Sequence, residues 1–112
     1  MNWRSYGFAI GIFIPVLLFA TVASAQNNAR ADPNKFAVIV TGAGGEEAYA
    51  KQFEQWTTEL KTALSDHYGF GAEHTKVVPN ATAEDVKRTF AQLKSQLDAN
   101  NVLFVFLIGH GS

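Results

Sequence analysis

The chain has 112 residues, ten acidic against nine basic, with 47% apolar residues and no cysteine. A balanced charge offers no basic face to nucleic acid, and without thiols there are neither disulfide staples nor a sulfur nucleophile. A chain of this length builds one modest core.

In chain order, the opening "MNWRSYGFAIGIFIPVLLFATVASAQ" has the layout of a secretory signal. Arg4 lies in a short polar start, an apolar stretch runs from Phe8 to Ala20, and Ala23 and Ala25 precede Gln26. Cleavage after Ala25 is expected, giving a secreted or periplasmic protein. A spanning anchor needs ~20 apolar residues, and the uninterrupted run here is shorter, so no stable membrane anchor is expected. Residues 26–34, including "NNARADPN", read as a flexible polar leader, and 35–112 as the folded part.

"KFAVIVTG" is a short, continuous apolar run rich in branched residues and closed by Gly42, the pattern of a buried strand. After "GAGG", the residues Tyr49, Phe53, Trp56, Leu60, Ala63 and Leu64 recur at helical spacing. Glu46 and Glu47 suit the positive end of that helix, and Gly69 ends it. "HTKVV" offers a weaker second strand. Thr82 and Asp85 form a capping box for a second helix, whose inner face is Val86, Phe90, Leu93 and Leu97.

"VLFVFLI", residues 102–108, is the third strand. It is apolar at every position, which predicts cover on both faces. Strand, helix, strand, helix, strand is the order of an α/β open parallel sheet with right-handed crossovers, the first strand lying between the other two. Ligands of such sheets bind beyond the carboxyl ends of the strands. The turns after Val40 and after Ile108 both fall on that edge.

In "IGHGS" an imidazole stands between Gly109 and Gly111. The glycines allow unusual backbone angles, expose His110, and leave the Gly111 amide bare. A proton carrier beside a bare donor suits acyl transfer, whereas a plain tight turn with a solvated histidine needs no function. Two further histidines, His67 and His74, flank "YGFGAE" near Asp66 and Glu73. They read as solvated loop residues, so neither a metal nor another cofactor is expected. Asn80 opens an "NAT" sequence whose simplest role is to lead into the Thr82 cap.

The segment "VFLIGHGS" resembles the histidine motif of the caspase and legumain superfamily of cysteine peptidases, in which an apolar strand ends in His-Gly. "VIVTGAGGEEAYAKQ" is similar to the legumain-type opening. The resemblance implies a caspase-like open parallel sheet with helices on both faces, of which the first three strands (βαβαβ) are present. It makes His110 the general acid or base, gives the Gly111 amide to an oxyanion hole, and puts Thr41, Gly42 and Gly44 in a substrate-binding loop for a peptide or protein. Gly44 stands where legumains carry an asparagine, and Ala50, beside Lys51, where they carry a substrate-binding arginine, so asparaginyl specificity is not implied. The family's cysteine follows a fourth strand. The chain is therefore expected to be a truncated amino-terminal part, inactive alone, that self-associates through the edge strand 102–108.

Two other readings stay open. In α/β-hydrolases a His-Gly turn shapes the oxyanion hole of an esterase with a serine nucleophile. A peptidase-like domain without catalysis is the other. Nucleotide binding is disfavoured, since "TGAGG" completes neither phosphate-loop pattern and Glu46 and Glu47 would repel a phosphate.

Overall fold

The computed structural model describes residues 29–111 together with Gly11. The expected cleavage site at Ala25 and the terminal Ser112 lie outside the described residues. Three strands, β1 (Lys35–Thr41), β2 (Thr75–Val78) and β3 (Val102–Ile108), alternate with the helices α1 (Glu47–Tyr68) and α2 (Ala83–Lys94). The sheet order is β2-β1-β3, and both pairings are parallel. This is the α/β architecture expected from the order of elements.

The first crossover steps from β1 to one side and the second returns past it to the other. Two crossovers of the same hand that run in opposite directions put their helices on opposite faces. The core divides accordingly. Phe36, Val38 and Val40 of β1 pack with Val78 and Leu93 on the α2 face. Ala37 and Ile39 pack with Leu64 and Phe70 on the α1 face. The central strand is thus buried on both sides, and Val38 and Ile39 are fully enclosed.

Local chemistry sets the helix ends. Gly69 closes α1 at φ 74°, with its amide donating to the Leu64 carbonyl, a left-handed conformation that glycine adopts without strain. Thr82 starts α2: its hydroxyl accepts from the Asp85 amide, and the Asp85 carboxylate accepts from the Thr82 amide. That carboxyl is held below its ordinary pKa, first by the bond from the Thr82 backbone and then by the Thr82 hydroxyl. The described part of the leader lies against the end of α1, where the Ala29 and Asp32 amides donate to Asp66 and Gly69 at 2.9 and 2.7 Å.

Two expectations need correction. β3 is not covered on both faces: Val102, Phe104, Val105 and Leu107 are exposed, Leu107 by 78%. Its only strand neighbour among the described residues is β1, and only Leu103, Phe106 and Ile108 reach the clusters beneath the helices, each half-buried. The apolar stripe of α1 is also not uniformly core. Leu64 and Phe53 are buried, but Tyr49 and Trp56 remain 44% exposed. Tyr49 and Trp56 lie in the half of α1 toward the carboxyl edge of the sheet, and the first of them meets His110 instead of the sheet core.

Candidate active site

The two expected loops meet at the carboxyl edge, in the crevice between β1 and β3. The register aligns Thr41 with Ile108, so the chain leaves both strands at the same height. The Gly42 amide then donates to the Ile108 carbonyl at 2.8 Å, fastening the roots of the loops together. Residues 66 positions apart come into contact: His110 Nε2 lies 3.1 Å from the Gly44 carbonyl oxygen.

A carbonyl can only accept, so Nε2 carries the proton in this bond. In the neutral ring that leaves Nδ1 with its lone pair. Such a fixed tautomer is what a positioned base requires. The ring is seated on α1 as well, edge-on to Tyr49 at 4.4 Å between centroids and tilted against Phe53 at 5.2 Å. One main-chain oxygen and two aromatic side chains thus define its position, while the residue itself remains exposed.

Gly44 is held by contact with α1. An ideal β-carbon on it would meet the Ala50 α-carbon at 2.7 Å, a distance that real side chains do not tolerate. Gly45 follows at φ 72°. Absence of a side chain at 44 and backbone freedom at 45 together let the loop turn close to the helix and aim its carbonyl at the imidazole. By contrast, Gly109 and Gly111 take no left-handed φ, and a β-carbon on either would meet nothing within 4 Å. The expected need for special angles around His110 is therefore not met there; it arises in the opposite loop.

Thr41, Gly42 and Gly44 line a cleft of about 420 Å³ beneath α1, with Phe53, Lys61 and Asn80 among its other walls. His110 is not one of its walls. Gly44 and Phe53 touch His110 and also line the cleft, so they separate the two. Thr41 is buried and serves the neighbouring turn: its hydroxyl oxygen accepts from the Asn80 amide at 3.0 Å, and its carbonyl from the Ala81 amide at 2.8 Å. Gly111 stands in open space next to the imidazole.

The other histidines divide. His67 is exposed in the last turn of α1. His74, expected to be solvated, is half-buried and stacked on Phe36 at 4.1 Å, with Nδ1 buried and unpartnered. It sits near the start of β2, at the opposite end of the sheet from His110. Sequence reasoning missed this stack because its partner is 38 positions away, and also missed the aromatic seat of His110, because Tyr49 and Phe53 read as ordinary core. Among the described residues no group of three His, Cys, Asp or Glu could hold a metal. Comparison with protein-family models, curated proteins and solved structures gave no match.

Proposed function

We propose that this chain supplies the histidine half of a thiol peptidase of the caspase and legumain type, exported from the cell. The observation that supports this most is the bond from His110 Nε2 to the Gly44 carbonyl across the crevice between β1 and β3. It leaves Nδ1 as an exposed base, at the sheet edge where ligands of open α/β folds bind.

The thiol comes from outside this chain, which has no cysteine. His110 takes the proton from that thiol, and the thiolate sulfur bonds to the scissile carbonyl carbon. The carbonyl oxygen gains negative charge, and the Gly111 amide stabilises it. As the carbon–nitrogen bond breaks, His110 returns the proton to the leaving amine. Water then hydrolyses the thioester with His110 as base, releasing the acid and restoring the thiol. Of the loop Thr41, Gly42 and Gly44, it is Gly44, in contact with His110, that borders the substrate at the sheet edge, while buried Thr41 supports the loop from beneath.

In the gene product that carries the thiol, His110→Ala lowers peptide hydrolysis by roughly 10²- to 10⁴-fold, and alkylation of the thiol abolishes it. Hydrolysis unchanged by His110→Ala removes the assignment. Hydrolysis lost on His110→Ala but indifferent to alkylation moves it to a serine nucleophile.

A further inference from the structure

The side of α1 above the cleft does not carry the apolar face expected of a helix lying on a sheet. Glu54, Thr57, Thr58 and Lys61 line the cleft beside the ring of Phe53, and their three- and four-residue spacing puts them on one side of the helix. Every wall comes from residues 41–80. The volume of about 420 Å³ lies within the range of small-ligand sites.

The hydroxyl groups of roof and floor are committed in opposite senses. On α1, Thr57 and Thr58 donate to the Phe53 and Glu54 carbonyls at 2.7 and 3.0 Å, so toward a ligand their oxygens only accept. On the floor, the Thr41 oxygen already accepts from the Asn80 amide at 3.0 Å, which leaves its own proton to donate. Acceptors thus face a donor across the cleft. An extended amide backbone, whose N–H and C=O groups point to both of its sides, complements the two together.

Charge sets the length and the direction. Glu54 and Lys61 are both exposed, and neither belongs to an ion pair among the described residues. From position 54 to position 61 the helix rises about 10 Å, the span of roughly three extended residues at about 3.3 Å each. We propose that this cleft binds a peptide of about three residues with free ends, its ammonium group at Glu54 and its carboxylate at Lys61. Phe53, Val77 and Pro79 give the middle side chain an apolar surface.

Gly44 and Phe53 stand between the cleft and His110. A peptide seated there is held away from the imidazole, so the binding does not depend on the peptidase reading.

Nuclear magnetic resonance titration of the purified chain with the tripeptide alanyl-leucyl-alanine tests the site. The expected result is saturable binding in the millimolar range that shifts the amides of Thr41, Thr58 and Val77. Lys61→Gln weakens binding of the free acid by about two- to fivefold, the worth of an exposed ion pair, and leaves the affinity for the carboxamide unchanged. Glu54→Gln has the same effect on the free amine and none on the N-acetylated peptide. Both residues are exposed, and the far-ultraviolet circular dichroism of each variant should match the wild type. Absence of saturable shifts, equal affinity for a peptide blocked at both ends, or a Lys61→Gln loss as large for the carboxamide as for the acid overturns the proposal. So do shifts confined to residues outside the cleft.

Discussion

The α-carbon of Gly44 lies so close to α1 that a β-carbon there would stand 2.7 Å from the Ala50 α-carbon. The same residue offers its carbonyl to His110. Packing and site geometry are therefore one constraint, and Gly44→Ala relieves its clash by pushing the loop off the helix. The expected cost is about 1–3 kcal/mol of stability, accompanied by a shift of the His110 ring resonances. Gly45→Ala, strained only through its φ of 72°, costs about 1–2 kcal/mol and moves those resonances less. Equal ring shifts from both variants would separate the glycine contact from the position of the imidazole.

The bond to Gly44 also predicts the tautomer of His110. With a carbonyl as partner, the neutral ring carries its proton on Nε2. Nitrogen-detected spectra of ring-labelled protein should show Nε2 protonated and Nδ1 bare in the neutral form. Tyr49→Ala removes the edge contact at 4.4 Å and broadens the ring's rotamer distribution while leaving the bond available. A neutral ring that divides evenly between tautomers is incompatible with the site as described.

The start of α2 gives a prediction in pH. Asp85 is held below its ordinary pKa of 3.8, chiefly by the Thr82 backbone. A carboxyl whose folded pKa is lowered contributes stability that is present above the unfolded value. That contribution is lost as pH falls from about 4 through the folded value. Urea unfolding at neutral pH and near pH 2 should show the wild type losing stability relative to Asp85→Asn in the acid range. Thr82→Ala, which removes the cap itself, costs about 1 kcal/mol at neutral pH. The Asp85 side chain is exposed, and added salt should reduce only the part due to Arg88, whose guanidinium lies 3.6 Å away.

Both helices and the capping box could be read from local pattern, because each depends on residues within a few positions of one another, and the sheet order followed from the right-handed crossover rule. Even the closeness of the two glycine-bearing turns followed from topology. The contacts of His110 could not be read in this way. Tyr49 and Phe53 carry the spacing of a buried helical face, and nothing local distinguishes the half of α1 over the sheet from the half that meets the imidazole. His74 is a similar case: its stacking partner, Phe36, belongs to another strand. The glycines beside His110 drew notice in the sequence, yet the positions that require glycine are 44, for want of space, and 45, for its φ of 72°. Local sequence shows that a turn is present but not which turn must pass close to a helix.

β1 and β3 make the same point in energetic terms, since both are seven-residue strands built mainly from aromatic and branched apolar residues. Ile39 is fully enclosed between the sheet and α1, whereas Leu107 is 78% exposed. Ile39→Ala should therefore cost about 2–5 kcal/mol, the range for deleting a buried branched side chain and leaving a cavity. In a domain of this size that is a large share of the total stability. Leu107→Ala should change the stability of the monomer by less than about 0.5 kcal/mol, because its side chain has little to lose. If unfolding of the chain is instead concentration-dependent and Leu107→Ala lowers the midpoint only at high concentration, the difference measures what covers the edge. Equal losses for the two variants in dilute monomer would mean that β3 is as enclosed as β1, contrary to the sheet order described.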